Sequence, residues 1–341
     1  RYKIYWEDTK MEFSATAGTA GGSLKALFEV RDGDNLENFK GKVTKADSYS
    51  LTVENISIDN IKSLNLPDKD GKITVNNISY SYDSWEAQVD AQGNIKSVTF
   101  NLSKDKAIAD PEKTVAEGYL LNAGSAINAR GIPYYMTQLN EFVRNFSEMF
   151  NQIESKGQNL NGDTPPTFFE AITNTAKVYD FSESEAYSKL PDGQTATINS
   201  SSNTYYRMTA ANFSVNKDVM NDVSLFATST DYVKTDSCDI VDELKKLQSE
   251  KTVYRGDKAE SFLETIISNV SVDTEKAETY NKLYSNLEQT IANQRTSVSG
   301  VDEDEEALNL VKFQYSYNMA SKIISVMNQM LDKLINDTGV A

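Results

Sequence analysis

Pairs of acidic side chains are the strongest candidates for chemistry in this sequence. Glu183 with Glu185 and Asp68 with Asp70 form carboxylate pairs that a hydrolase could use as general acid and general base. In a chain with 50 Asp and Glu residues such pairs arise easily, and most belong to a solvated surface. Asp68 and Asp70 also resemble the start of a calcium loop, but the twelfth-position glutamate and other ligands are missing, which favours a plain turn.

The sequence lacks other residue types on which catalysis usually depends. It contains no histidine, the usual general base and the commonest metal ligand. Cys238 is the single cysteine, so neither an internal disulfide nor a cysteine zinc site can form. Gly21 and Gly22 are not followed by a phosphate-loop motif and predict a turn that enters a helix. We therefore expect no catalytic activity, no metal and no cofactor.

Length and charge narrow the function classes further. The 341 residues suffice for two or three domains. A formal net charge of -16 argues against nucleic acid as a partner, because no basic stripe is available to neutralise phosphates. No apolar run approaches the ~18 residues of a membrane span. The chain begins with Arg1 instead of an initiator methionine, so we expect a fragment or a processed product.

The most regular pattern is a helical stripe in the last forty residues. Apolar residues alternate at steps of three and four without a break, which is the spacing of a coiled-coil seam. These eight positions, called the seam below, are Leu310, Phe313, Tyr317, Ala320, Ile324, Met327, Leu331 and Leu334.

A second apolar row lies beside the seam on the same predicted helix. Its members are Val311, Tyr315, Met319, Ile323, Val326 and Met330. Two adjoining rows form a face too wide for one partner helix, so the segment must dock inside its own domain or against other chains. Asp302 and Glu305 have the spacing of a capping box, and Gly339 stands where a C-terminal cap is expected.

Upstream of this helix, hydrophobic periodicity alternates between strand and helix. Residues 1–16 predict one or two strands, and residues 49–53, 72–82, 85–89 and 95–102 predict a mostly antiparallel β domain with turns at 68–72 and 90–94. Residues 132–153 and 239–251 predict helices, and a heptad run over 257–298 predicts a rod about 60 Å long. Between them, residues 195–198 and 205–208 are β-like, and residues 211–222 predict a strand followed by a turn.

Together these patterns predict an α+β multidomain protein. Long helices form an α-helical rod, β-rich domains are inserted into it, and a coiled-coil-like helix ends the chain. The predicted segments are 1–32, the end of a β-rich unit with an entry helix; 33–115, an inserted β domain; 116–160, a helical rod segment; 161–237, a second β-rich insertion; 238–298, a helical rod segment; and 299–341, the C-terminal inner-core helix.

The stretch from Ser297 to Ile335 resembles the C-terminal segment of bacterial flagellar axial proteins. The shared features are a Ser-Gly-Val turn, an acidic cluster, an Asn-Leu pair and an aromatic-Gln pair, here Ser299, Gly300, Val301, Asp304, Glu305, Glu306, Asn309, Leu310, Phe313 and Gln314. Residues 21–32 and 132–153, with 158–162 and 210–216, resemble the hook-associated protein 1 family. Glu303, Ser316 and Met319 depart from the common pattern but preserve the helix and its seam.

The resemblance implies a secreted, extracellular part of the flagellum that joins hook to filament by helical self-assembly through its terminal helices. Its expected partners are hook protein, hook-associated protein 3, further copies of itself, and an export chaperone at the C-terminal helix. In this family an N-terminal helical segment pairs with the C-terminal one, and nothing in residues 1–30 resembles it. Flagellin or hook-associated protein 3 stays an alternative, as does a secreted coiled-coil adhesin or binding module.

Overall fold

The computed structural model divides the chain into two compact units. The first unit spans Arg1–Ile267 and the second Ser268–Ala341. The structure describes residues 7–8, 21–67, 71–76, 78–103, 108, 115, 117–124, 126–184, 186–233, 237–249, 252–254 and 257–337. The strands predicted over residues 1–16 lie almost wholly outside this range, as does Gly339.

The first unit contains the described strands. They are β1 Lys40–Asp47, β2 Ser50–Glu54, β3 Gly71–Val75, β4 Ile78–Val89, β5 Ile95–Leu102, β6 Leu120–Ala123, β7 Phe169–Ala171, β8 Ala196–Asn199, β9 Phe213–Val215, β10 Thr252–Tyr254 and β11 Asp257–Lys258. Six of them form an antiparallel barrel in the order β3-β6-β1-β2-β5-β4, which the pairing of β3 with β4 closes. Closure pairs the edges that an open sheet would expose.

Large side chains fill the barrel and its margin. Tyr82, Trp85 and Phe100 are fully buried, and the Tyr82 and Phe100 rings lie 5.1 Å apart between centroids. Inward and outward positions alternate along β5, as the sequence periodicity predicted. A seventh strand, β8, extends the sheet by pairing with β4. The predicted α+β class with a terminal helix is confirmed.

One predicted strand boundary was wrong. Residues 72–82 and 85–89 were expected to be separate strands, but β3 ends at Val75 and β4 continues from Ile78 to Val89. Asn76 makes the turn with a φ of 49°, a conformation that asparagine tolerates better than most residues. The register shift between Tyr82 and Ser84 accommodates the polar interruption inside β4.

Residues 205–208 were expected to be β-like, but Tyr205–Arg207 form a short 3-10 helix. The Tyr206 hydroxyl accepts from Leu66 N at 2.7 Å and donates to Leu66 O at 2.6 Å. This long-range contact overrides the local strand preference. Residues 211–222 were expected to form a strand followed by a turn, but Lys217–Asn221 in place of that turn form a short α-helix.

The described helices are α1 Ser23–Asp32, α2 Ile132–Glu154, α3 Lys217–Asn221, α4 Asp239–Ser249, α5 Ala259–Ser299 and α6 Glu303–Asp337. The sequence predicted α2, α4, α5 and α6 to within a few residues at each end. None of the helices in the described part of the chain is both long enough and apolar enough to cross a membrane.

Helix α2 is enclosed on two sides, and its apolar side faces other helices. Phe142 and Phe146 pack against Phe262 and Ile266 in the first turns of α5. The Phe142 and Phe262 rings are stacked with centroids 6.3 Å apart. Near its C-terminal end, Ile153 packs with Ile240 and Leu247 of α4.

The polar side of α2 is buried against irregular backbone of the first unit. Arg144, only 5% exposed, donates from Nε to Met208 O at 2.9 Å and from Nη1 to Leu64 O at 2.6 Å. Asn140 Oδ1 accepts from Ala210 N at 2.9 Å, and its Nδ2 donates to Asn65 at 3.2 Å. One helix therefore holds loops from two distant parts of the sequence.

We predict that Arg144→Met destabilises the first unit by about 3 kcal/mol or more, because the carbonyl oxygens of Leu64 and Met208 would be buried without these donors. Urea unfolding of the full chain measures the loss. Lys177→Met is the matched control because it removes an exposed cation from the same unit. Equal stability of the two variants would contradict the assigned role of Arg144.

Glu154 at the end of α2 is a buried carboxyl. Its Oε1 accepts from Ala227 N at 3.1 Å, whereas Oε2 has no hydrogen-bond partner in the described part of the chain. Burial raises the pKa of Glu154 from 4.5 to about 7, although the Ala227 hydrogen bond acts in the opposite direction. The folded protein therefore keeps a proton that the unfolded chain releases.

We predict that stability falls as pH rises from about 4.5 to about 7, by roughly 3 kcal/mol, because only the folded state still binds this proton there. Glu154→Gln should remove that contribution, so the variant gains stability relative to the native chain across this window and then levels off. Urea unfolding at several pH values tests this. Glu86→Gln, at an exposed position on β4, is the control, and identical pH profiles for Glu154→Gln and the native chain would refute the prediction.

Candidate assembly interface

Helix α6 begins at a defined cap. Asp302 Oδ1 accepts hydrogen bonds from Asp304 N at 3.0 Å and from Glu305 N at 3.3 Å. These amides belong to the first turn, where a helix has no carbonyl partners of its own, so the cap stabilises the start of α6. Glu303 to Glu306 add negative charge at the positive end of the helix dipole. The predicted N-terminal cap by Asp302 is confirmed.

The seam residues lie on one face of α6 and are all exposed. The seven large side chains of the seam are between 49% and 74% exposed, and Ala320 is exposed as well. The second row is exposed in the same way. Five of these apolar side chains, together with Lys322, line a shallow concave surface of 350 Å³ formed by Met319, Lys322, Ile323, Val326, Met327 and Met330.

The second unit has no core of its own in the part that the structure describes. Within residues 268–337, no residue is buried, and only Asn269, Asp273 and Asn309 are half-buried. Isolated apolar residues on a surface are ordinary, but a continuous apolar stripe along about seven turns of helix marks an interaction surface. Burying the seven large seam side chains would contribute roughly 10–20 kcal/mol before the costs of association.

The candidate acid pairs gain no support as a catalytic site. Glu183 is exposed and accepts a hydrogen bond from Asn203 N at 3.0 Å, whereas Glu185, Asp68 and Asp70 lie outside the described residues. Cys238 is exposed and not disulfide-bonded. Within the described ranges, no group of three or more His, Cys, Asp or Glu side chains could hold a metal ion.

Sequence reasoning found the seam but missed the buried polar side of α2 and the cleft beside it. The cleft is lined by residues between Asn151 and Asn216, and they come from separate segments. No local spacing could reveal it, because each residue alone has the pattern of an ordinary polar surface. The regular row of polar residues along α2 was a signal for its buried polar side, but the apolar periodicity of the same helix obscured it.

An extended helix with an exposed apolar seam is the geometry of a protein that acts by association. Residues 292–337, covering the end of α5 and all of α6, match the family described as flagellar basal body rod FlgEFG protein C-terminal. The match includes every seam residue. This match supports a structural role in the flagellum, as one of its axial proteins. Proteins of that kind are not known as enzymes.

A relative extends the similarity to the remainder of the chain. Flagellar hook-associated protein 1 of Bacillus subtilis (strain 168) is 21% identical over 341 residues, which cover 98% of this chain. The chain spans 56% of the length of that relative. Both findings point to flagellar proteins as the relatives of this chain.

We predict that Ile324→Asp and Leu331→Asp leave the unfolding free energy of the first unit unchanged to within about 0.5 kcal/mol, because both side chains are exposed. Urea unfolding followed by tryptophan fluorescence reports on this unit through buried Trp85. Ile73→Asp, at a fully buried barrel position, is the positive control and should unfold it. A loss of more than 2 kcal/mol in either seam variant would show that the seam is covered within the chain.

Proposed function

We propose that this protein joins the flagellar hook to the filament, by packing its terminal helices against neighbouring subunits. The observation that carries the proposal is the exposed seam on α6, which lies inside the segment that matches the rod-protein C-terminal family. The similarity to hook-associated protein 1 over nearly the whole chain favours the junction over other axial positions. The protein works outside the cell, after secretion by the flagellar export apparatus.

The width of the apolar face defines the kind of assembly. The seam and the second row together require more than one partner helix. Head-to-tail contacts between identical subunits that do not close into a ring generate a helical array, which is the symmetry of a tubular filament. The proposed neighbours are copies of this chain, hook protein and hook-associated protein 3, and an export chaperone binds α6 before assembly.

The seam also explains why a chaperone is needed. A free face of this size would aggregate in a crowded cytoplasm, because each exposed side chain gains free energy by leaving water. A chaperone that covers α6 prevents premature assembly until export. No observation in the described residues favours the adhesin alternative, and flagellin or hook-associated protein 3 is less consistent with the relative that matches the whole chain.

Seam variants in living cells test the proposal. We predict that Ile324→Asp or Leu331→Asp gives cells with hooks but without filaments, because a carboxylate in the assembled seam would be buried without a partner. Electron microscopy of the cell surface and swimming in soft agar measure the outcome. Normal filaments on either variant would contradict the proposal.

Ser325→Asp is the matched control on the same helix. Its side chain lies about 100° around the helix axis from Ile324 and belongs to neither apolar row, so filaments should form normally. Immunoblotting of the culture medium must detect each seam variant, which separates failed assembly from failed export. Deleting the gene should leave hooks intact, whereas loss of the hooks themselves would place the protein in the rod or the hook.

A further inference from the structure

A polar cleft of 660 Å³ opens beside the C-terminal end of α2 in the first unit. Its walls come from α2, from the segment that leads into β7, and from the loop that follows β7. The volume is within the range of clefts that bind small ligands or single side chains. The seam and the second row contribute no residue to it.

Glu170 lines this cleft and is only 6% exposed. It lies at the centre of β7, opposite Ser214 of β9. Among the described residues, its carboxyl has no hydrogen-bond partner. Burial raises the pKa of Glu170, the nearby Asp218 carboxylate raises it further, and the Lys217 ammonium opposes the shift. The Glu170 oxygens are not among the fully enclosed polar atoms, so a ligand in the cleft can reach them, and a bound cation would favour the charged form of the carboxyl.

The backbone that carries Glu170 is fixed in place. Asn151 of α2 donates from Nδ2 to Phe169 O at 2.8 Å and accepts from Phe169 N at Oδ1 at 2.9 Å. The same Nδ2 lies 2.8 Å from the Tyr205 hydroxyl. Asn151 therefore ties both the β7 backbone and Tyr205 to α2.

Aromatic rings form part of the cleft wall. The Phe181 and Tyr205 rings are stacked with centroids 4.3 Å apart, and Tyr179 lies two residues before Phe181. One guanidinium is already present at this wall, because Arg207 lies 4.4 Å above the Tyr179 ring, and elsewhere in the unit Arg144 lies 4.4 Å above Tyr206. The fold therefore already uses tyrosine faces to hold flat guanidinium groups.

The side chains that line the cleft carry one more negative than positive charge, and the Arg207 guanidinium over Tyr179 offsets that difference. Glu170 and Asp180 contribute carboxylates to its lining, and Lys189 contributes one ammonium. Lys217 and Asp218 of α3, the other charged groups that act on Glu170, offset each other in sign. The Asp180 carboxylate already accepts one hydrogen bond on each oxygen, from the backbone and the hydroxyl of Ser182, whereas no described residue donates to the Glu170 carboxyl.

We infer that this cleft binds a guanidinium group, of the kind an arginine side chain of another polypeptide carries, with Glu170 as its carboxylate partner. A guanidinium donates two parallel hydrogen bonds to one carboxylate, and its flat faces stack on aromatic rings. Both features match the residues that line the cleft. The inference does not depend on the flagellar role, because it concerns different residues in a different unit.

Titration of the full chain with N-acetyl-arginine amide, followed by NMR or calorimetry, tests the inference. We expect a dissociation constant on the order of 1 mM, as suits a single side chain. N-acetyl-citrulline amide has the same shape without the charge and should bind at least about tenfold more weakly. Equal binding of the two compounds would overturn the inference. So would the absence of binding of the arginine compound at concentrations up to its solubility limit.

Variants of the cleft locate the binding site. Glu170→Gln keeps the side-chain shape but removes the charge, and should weaken arginine binding at least about tenfold. Lys189→Gln removes the opposing ammonium and should tighten it. Asp180→Asn is the matched carboxylate control and should change the affinity by less than about threefold. An unchanged affinity in Glu170→Gln, or an equal loss in Asp180→Asn, would contradict the assignment to Glu170.

Two further measurements complete the test. If Glu170→Gln does not fold, the carboxyl carbon of Glu170 in the native chain can be followed by NMR, and it must shift on addition of the arginine compound. Analytical ultracentrifugation distinguishes the source of the arginine. Self-association that the arginine compound reverses would identify a second copy of this chain, whereas a monomer that still binds the compound would identify a different polypeptide.

Discussion

The first unit depends on the buried polar side of α2. Helices usually bury an apolar stripe and leave the opposite face in water, but α2 buries its polar face, whereas its phenylalanine side chains are half-buried. Its polar face is tolerated because Arg144, Asn140 and Asn151 find backbone partners in the loops that they contact. Those loops have little regular structure, and side chains of α2 satisfy part of their backbone. The interaction is therefore mutual, since neither the helix face nor the loops could be buried alone.

The barrel and the helices meet at this face. Lys62 Nζ lies 2.8 Å from Glu148 of α2, and the Ser63 hydroxyl donates to Glu141 at 3.1 Å. Trp85 inside the barrel packs edge-on against Tyr206, whose hydroxyl bonds the Leu66 backbone. Contacts therefore connect the core of the barrel to the 3-10 helix at Tyr206, and that helix to Arg144 of α2. Nearer its C-terminal end, α2 holds the β7 backbone beside Glu170 through Asn151.

The two units differ in how they satisfy their apolar surface. The first unit buries its large aromatic side chains in a closed barrel and between helices. The second unit leaves the whole seam exposed in the part that the structure describes, although α6 is continuous and has an N-terminal cap. In the proposed role, this contrast provides a stable body and a terminal helix that is available for association. Free energy that a monomer cannot gain by folding is then available for assembly.

The sequence by itself determined the features that depend on local periodicity. The seam, the Asp302 cap, the bounds of α2 and the alternation of β5 could all be read from spacing, because each reflects neighbours within a few residues. The tertiary structure alone decided the closure of the barrel, the 3-10 helix at Tyr206 and the surroundings of Glu170. Their partners lie far apart in the chain, as Leu66 and Tyr206 do. Long-range hydrogen bonds and packing outweigh local preference at such positions, and no pattern within one segment encodes them.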